Sequence, residues 1–128
     1  MPSFLQPLLR APDRPWALID TDSDTTLVTR VSAAVDSATR RRGLLGRTEM
    51  DDEALIIAPC SAVHTFFMRM AIDILFVNRD GRVTRAVHAV PPWRLAASFT
   101  AYATIEMAAG TLARAGVVPG HVVAIRER

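Results

Sequence analysis

The residue types most able to do chemistry lie in one apolar stretch between residues 60 and 73. It contains the only cysteine of the chain, Cys60, together with His64 and Asp73. A thiolate beside an imidazole is the beginning of a cysteine nucleophile, and both groups are also zinc ligands. Buried polar groups cost free energy unless they are hydrogen-bonded or paired, so the stretch predicts either structural partners or a functional site.

Cys60 and His64 are four positions apart, and in an extended segment their side chains project to one face. A catalytic pair also needs an orienting group and an oxyanion site, whereas a structural zinc site needs about four ligands in close pairs. The other histidines, His88 and His121, are isolated in the sequence. The pattern therefore favours a buried cysteine with a satisfied histidine over a metal ligand or a nucleophile. We predict no metal ion and no cofactor.

Two carboxylates occur inside strand-like apolar runs, Asp73 in 72–77 and Glu106 in 102–107. If these strands approach each other, the carboxylates could form a pair able to do acid-base work. The alternative is a buried ion-pair network in which Asp73 is the partner of Arg40, Arg42 or a backbone turn. We favour the structural alternative.

A helix is predicted from Asp36 or Ser37 to about Gly46, and a cluster of arginines lies in it or directly after it: Arg40, Arg41, Arg42 and Arg47. Guanidinium groups fit phosphate or carboxylate oxygens, so this helix could bind an anion, with a solvated basic face as the alternative. No GxGxxG or GxxxxGK[ST] spacing occurs, and nucleotide binding has no support. Acidic residues are interspersed with the arginines and the net charge is only +2, which makes nucleic-acid binding unfavoured.

Length and composition predict one soluble domain. The chain has 128 residues, half of them apolar, and a chain of this size can bury a sizeable core. No run approaches the roughly 18 apolar residues that would cross a bilayer, and the first ten residues do not resemble a signal peptide. A single cysteine forms no internal disulfide, which fits a reducing compartment. We therefore expect a cytoplasmic protein without a membrane partner.

The pattern of elements predicts an α+β fold that is mainly antiparallel, as a small β-barrel or a strongly bent sheet with two short helices. Four prolines in the first twenty residues predict an N-terminal arm over residues 1–24, followed by a single compact domain at 25–128. Residues 94–101 are predicted to be a loop and 110–115 a second helix. The predicted strands span 25–35, 54–58, 63–68, 72–77, 82–90, 102–107 and 121–125.

An ordered series of residues runs from about residue 27 to the end. It comprises 39–47, Cys60, 63–65, Met68, Ile72, Asp73, Phe76, Asp80, Gly81, Val83, Ile105, Glu106, Gly110, Gly116 and Gly120. This series resembles domain of unknown function family 192, a group of small bacterial and archaeal proteins. The resemblance implies a compact, mostly β domain and implies no activity. Some relatives look exported, whereas no leader is predicted for this chain. Ala71 stands where proline is common, and His121 stands where an aspartate usually follows Gly120.

The sequence favours a small binding domain with a polar pocket for a small ligand or a protein partner. The predicted pocket residues are Arg40, Arg42, His64, Asp73 and Glu106. The alternative is a hydrolase or transferase that uses Cys60 with His64, or Asp73 with Glu106. Whether the protein is an enzyme is left open, as is its oligomeric state.

Overall fold

The computed structural model describes residues 3–36, 39 and 44–128, and in this part of the chain ten strands and two short helices occur. The helices are α1 (Gln6–Arg10) and α2 (Thr111–Ala115). The strands are β1 (Trp16–Asp20), β2 (Thr25–Val28), β3 (Arg30–Ala34), β4 (Glu53–Ile57), β5 (Ala62–His64), β6 (Ile72–Val77), β7 (Val83–Val90), β8 (Leu95–Ala97), β9 (Ala103–Ala108) and β10 (Val123–Glu127). No described helix is long and apolar enough to cross a membrane.

The strands form three sheets with the orders β10-β1-β2, β3-β4-β9-β6-β7 and β5-β8. Every pairing is antiparallel except β3 with β4, which is parallel. The α+β fold is therefore confirmed, and it is mainly antiparallel. The edges of the central sheet are β3 and β7, which do not pair with each other. Within the described residues no sheet closes on itself, so the barrel alternative is not formed.

The central sheet is covered by an apolar layer on each face. Strand β6 is buried at all six positions. Its alternating side chains divide between two clusters, because Leu75 and Val77 pack with Ile105 in the larger one, whereas Ile74 and Phe76 belong to the smaller. A polar side chain in the middle of β6 or β9 is therefore buried whichever way it points.

The proline-rich segment contributes to the larger cluster rather than standing apart from it. Leu5, Leu8 and Leu18 are almost completely buried there. Pro7 occupies the first turn of α1, where a missing N–H costs nothing. The Trp16 indole N–H donates to the Ala11 carbonyl over 2.7 Å and fastens the link between α1 and β1. Because of its prolines this segment was predicted to be an arm, although its leucines are spaced so that they pack in the core.

Residues 78–81 form the turn between β6 and β7, and this turn requires glycine at its last position. Gly81 has a φ of +87°, and a Cβ there would lie 2.2 Å from the Val123 carbonyl oxygen. This close approach lets the Val123 N–H donate to the Gly81 carbonyl oxygen over 2.9 Å, which attaches β10 to the turn. A side chain at this position would therefore separate β10 from the β6–β7 hairpin.

Several predicted elements differ from the observed ones. The predicted strand at 25–35 is divided into β2 and β3, and that at 63–68 is shortened to β5. Residues 94–101 were predicted to be a loop but contain β8. The prediction was wrong because the pairing partner of β8, strand β5, lies about thirty residues earlier in the chain and leaves no local signal. The helix at 110–115 is confirmed as α2. The helix predicted from 36 to 46 lies largely outside the described residues.

Candidate functional site

Asp73 is completely buried, and its carboxylate accepts three backbone hydrogen bonds. The donors are the N–H groups of Ala89 at 2.8 Å, Gly110 at 3.1 Å and Leu112 at 2.9 Å. Asp73 thus joins β6 to the end of β7 and to the beginning of α2. Ala89 has a φ of +48°, a conformation that a non-glycine residue seldom adopts, and the bond to Asp73 helps to hold it. The backbone-turn interpretation of Asp73 accounts for both carboxylate oxygens.

Glu106 lies on the neighbouring strand but projects from the other face of the sheet. In the pairing of β6 with β9, Asp73 is opposite Met107, and Glu106 is opposite Ile74. Residues directly opposite each other share a face, and successive residues alternate, so the two carboxylates point away from each other. The hypothetical carboxylate pair of the sequence analysis is not formed.

Glu106 is surrounded by the smaller apolar cluster. Its cross-strand neighbours are Leu55 and Ile74, and only 4% of the residue is exposed. Burial raises the pKa of Glu106 to about 7, because the apolar surroundings disfavour the charged form. This carboxyl group therefore changes charge near neutral pH without lying at an open surface.

Cys60 and His64 are each hydrogen-bonded to the backbone. The Cys60 thiol donates to the Ala62 carbonyl over 3.2 Å, and the Phe66 N–H donates to His64 Nδ1 over 3.2 Å. These atoms are thus not bonded to each other as a nucleophile and its base. Among the described residues, no group of three or more His, Cys, Asp or Glu side chains is placed to hold a metal ion.

The bond from Phe66 determines which nitrogen of His64 faces outward as a donor. Because Nδ1 accepts a hydrogen bond, the neutral ring carries its proton on Nε2. The side chain is exposed, so this Nε2–H group is available to a ligand. His64 therefore offers a hydrogen-bond donor at the surface.

His64 lines a groove of about 390 Å³ that runs along the two-stranded sheet β5–β8. The register places Ala62 opposite Ala97 and His64 opposite Leu95, so these four side chains share one face, which we call the ribbon face. Arg85 of β7 borders it and donates from Nη1 to the Ala97 carbonyl over 2.8 Å, with its other N–H groups left for a ligand. The groove therefore has an apolar floor and polar groups from His64 and Arg85.

One end of the ribbon face continues into an aromatic cluster, defined as His64, Phe66, Phe67 and Trp93. The rings of His64 and Phe66 are stacked at 4.8 Å and those of Phe66 and Trp93 at 5.5 Å, while Phe67 is tilted against Trp93 at 4.7 Å. The cluster was missed in the sequence because 63–68 looked like a buried strand. The double aromatic at 66–67 and the Pro-Pro-Trp at 91–93 were the available signals.

Buried Thr65 connects the two loops that carry these rings. Its hydroxyl donates to the Pro91 carbonyl over 2.7 Å and accepts from the Arg94 N–H over 2.9 Å. The backbone adds bonds from the Thr65 N–H to the Arg94 carbonyl and from the Trp93 N–H to the Thr65 carbonyl. The aromatic cluster is therefore fixed to the ribbon rather than placed on independent loops.

A polar contact that was not predicted from the sequence joins Asp20 to His121. Asp20 is fully buried, and one of its oxygens is 2.7 Å from His121 Nδ1. Burial by itself raises the pKa of Asp20, but hydrogen bonds with His121, the Asp22 N–H and Ser23 outweigh it and lower the pKa below its usual value. The contact connects the end of β1 to the residues that precede β10.

We expect Asp20→Asn to destabilise the protein by about 1–2 kcal/mol near pH 7, because the charged hydrogen bond to His121 is lost. A carboxylate with a lowered pKa stabilises the fold above its unfolded pKa of 3.8, and this contribution disappears as the pH falls through the folded pKa. Urea unfolding should therefore separate variant and parent at pH 7, and the difference should shrink as the pH falls below 3.8. Exposed Asp22→Asn is the control, and an equal loss in both variants would contradict the assignment.

A larger cleft, of about 570 Å³, lies between the β2–β3 region and α2, and two of its charged side chains, Asp52 and Arg114, have hydrogen-bond partners. Asp52 accepts bonds from the Thr29 N–H and hydroxyl, and the Thr29 hydroxyl contributes most to lowering the pKa of Asp52. Arg114 donates to the Leu27 carbonyl over 2.6 Å. The lining of this cleft is more polar than that of the groove on the ribbon face, so it lacks the apolar floor that the groove has.

The predicted site residues are thus divided among different surroundings. His64 lies at the groove, Asp73 at the backbone of α2, and Glu106 in the smaller apolar cluster. Arg40 and Arg42 lie outside the described residues. The neighbouring Arg47 forms an ion pair with Glu53. The set proposed from sequence does not converge on one described cavity.

Fold and site together define a small α+β domain that carries an apolar groove at its surface. The chain belongs to the DUF192 family, "Uncharacterized ACR, COG1430", whose model matches residues 18–125. The resemblance seen in the sequence is thereby confirmed. A comparison with curated proteins finds no match.

Two solved structures share this fold over most of their length. One is a Sinorhizobium meliloti 1021 protein described as "a putative transcription regulator", with a TM-score of 0.72 and 25% identity, over 86% of this chain and 91% of that one. The other is a protein of unknown function from Novosphingobium aromaticivorans DSM 12444, with a TM-score of 0.70 and 28% identity, over 85% of this chain and 82% of that one. The similarity supports a shared architecture, and neither description states an established activity.

Proposed function

We propose that this protein is a small binding domain whose groove on the ribbon face takes an amphipathic anion, a ligand with an apolar body and a carboxylate. The observation that carries the proposal is the composition of the groove, in which an apolar floor is bordered by His64 and Arg85. Its volume of about 390 Å³ falls within the range of small-ligand sites.

Each part of such a ligand has a counterpart in the groove. The apolar body covers Ala62, Leu95 and Ala97, of which Leu95 is 76% exposed and has most to gain from being covered. The Arg85 guanidinium, held by the Ala97 carbonyl, pairs with the carboxylate, and the His64 Nε2–H donates to it. The ligand thus needs a negative group within reach of an apolar chain.

The proposal keeps binding ahead of catalysis. Asp73 and Glu106 project from opposite faces, and Cys60 and His64 each bond to the backbone, which leaves the enzymatic alternatives without an assembled pair. We further propose that the single domain begins before residue 25, because residues of α1 and β1 belong to its core, and that it works in the cytoplasm, in keeping with its single cysteine.

Octanoate tests the proposal, with octanol and octylammonium as probes of the charge requirement. We expect saturable octanoate binding in NMR titrations, with shifts at Ala62, His64 and Ala97, and weaker binding of both other probes. Arg85→Gln should weaken octanoate binding about tenfold, because one charge-assisted interaction is lost. Exposed Arg126→Gln is the matched control. Absence of saturation, or equal binding by parent and Arg85→Gln, would overturn the proposal.

A further inference from the structure

Large apolar side chains are exposed well beyond the limits of the groove. Along the chain segment that contains β8, the exposed fraction is 55% at Trp93, 76% at Leu95 and 91% at Phe99. Phe67, 68% exposed, contacts Trp93 from the adjoining loop. Ala97 of the groove lies between Leu95 and Phe99 in the sequence, so every second residue from 93 to 99 is apolar and exposed or in the groove. A ligand confined to the groove would leave both ends of this surface uncovered.

The backbone conformation at Phe67 and Trp93 keeps their two rings exposed. Phe67 has a φ of +65° and Trp93 a φ of +68°, in the left-handed region that bulky residues seldom adopt. Buried Thr65 bonds to the carbonyl of Pro91 and to the N–H of Arg94, on either side of Trp93. Strained residues that remain in a fold cluster at binding sites, and here the strain holds aromatic rings in solvent instead of in the core.

The charges around this surface have one sign. Residues 60–71 and 85–101, which comprise the ribbon, its loops and the adjoining part of β7, contain no aspartate or glutamate. They carry the exposed Arg69, Arg85 and Arg94. A second copy of the same face would bring like charges together, whereas an acidic partner would complement them.

The arrangement of the rings favours side chains over nucleic-acid bases as the apolar part of the partner. Phe66 is stacked with both His64 and Trp93, so these three rings are already engaged with one another. Bases bind single-strand proteins by stacking on open aromatic faces, and several cations must follow the phosphates. The separate projections of Leu95 and Phe99 instead suit the side chains of a polypeptide.

We propose that the ribbon face, extended by Phe67, Trp93 and Phe99, docks an acidic segment of a partner protein in extended conformation, with apolar side chains at every second position. The inference rests on the proposed function, because one carboxylate of the segment occupies the position opposite Arg85. Seven fully extended residues span roughly 23 Å, but only β8 (Leu95–Ala97) is a strand and the chain bends at Trp93 and turns at Phe99, so the surface from 93 to 99 is shorter and matches a segment of about six residues.

The experiment uses the whole chain and an acetylated, amidated octapeptide in which Glu or Asp alternates with Phe or Leu. A peptide with Gln and Asn in place of the acids, a dT12 oligonucleotide and phosphatidylglycerol vesicles are compared with it. We expect the acidic peptide to bind more tightly than the other three, and to weaken as salt is added. Phe67→Ser and Phe99→Ser should each weaken peptide binding at least tenfold and leave octanoate binding unchanged.

Val118→Ser, at an apolar position 49% exposed in the loop before β10, is the matched control, and thermal unfolding of each variant establishes that it folds. If octanoate binds through Arg85 but the peptide is insensitive to Phe67→Ser and Phe99→Ser, the docking inference fails and the proposed function stands. If neither octanoate nor the peptide binds, both fail. Tighter binding of dT12 or of the vesicles overturns the choice of a polypeptide partner.

Discussion

Asp73→Ala is expected to lower the free energy of unfolding by roughly 3–5 kcal/mol, the largest effect of any single substitution considered. The change removes both acceptor oxygens from three backbone N–H groups, those of Ala89, Gly110 and Leu112. A hydrogen bond to a charged group contributes about 1.5–3 kcal/mol, and a buried donor without an acceptor carries a further penalty. Urea unfolding followed by far-UV circular dichroism measures the loss.

Two further variants distinguish the loss of these bonds from a general effect of removing an aspartate. Asp73→Asn preserves the shape but replaces one acceptor oxygen with an NH₂ group that faces N–H donors, so we expect it to lose a large part of the same stability. Asp80→Ala, at an exposed position in the β6–β7 turn, should change stability by less than about 0.5 kcal/mol. A stable Asp73→Ala protein that has lost octanoate or peptide binding would return Asp73 to the list of binding residues.

Glu106→Gln is expected to stabilise the protein above neutral pH and to remove a pH dependence that the parent shows. The folded-state pKa of Glu106 is about 7 and its ordinary value is 4.5, so between these values the folded protein holds a proton that the unfolded chain releases. Stability therefore falls as the pH rises through this window and levels off above it, by a total of roughly 3 kcal/mol. Glutamine is nearly isosteric with the protonated acid and does not ionise.

The measurement is a series of urea unfolding curves from about pH 4.5 to pH 8. Parent and Glu106→Gln should have similar stability at the acidic end and differ most at the basic end, with the variant more stable. Glu127→Gln, at an exposed position on β10, is the control and should follow the parent. A variant that is less stable than the parent at pH 8 would show that the charged carboxylate has a favourable partner in the folded state.

The parts of the fold that local sequence determines were predictable. Residues 72–77 are apolar and mostly β-branched or aromatic apart from Asp73, which suits a buried strand, and 78–81 contain the asparagine and glycine that a tight turn needs. The helix at 111–115 lies between Gly110 and Gly116, both with positive φ. Each of these signals is contained within a few residues.

The relation between the predicted site residues depends on pairing over long distances in the chain, which one sequence does not reveal. A shift of one residue between β6 and β9 would have placed Asp73 and Glu106 on the same face, and no residue near either of them specifies that register. Phe67 was predicted to continue a strand, yet its backbone turns into the left-handed region because Thr65 is bound to the neighbouring loop. The groove could not be predicted from the sequence either, because it lies along the pairing of β5 with β8, which are about thirty residues apart in the chain.

Because β1 pairs with β10, one edge of β1 stays unpaired for part of the time in which the chain is synthesised. Asp20 pairs with Val123, so at roughly 5–20 residues per second the ribosome completes the second strand about 5–20 s after the first. During this interval β1 can pair with β2 only, and its other edge is open to unrelated chains. Pro12 and Pro15 immediately precede β1, and because proline has no N–H, an unrelated strand cannot extend its pairing along that segment. The prolines that conceal the N-terminal strand in the sequence would thus protect it while its partner is still being synthesised.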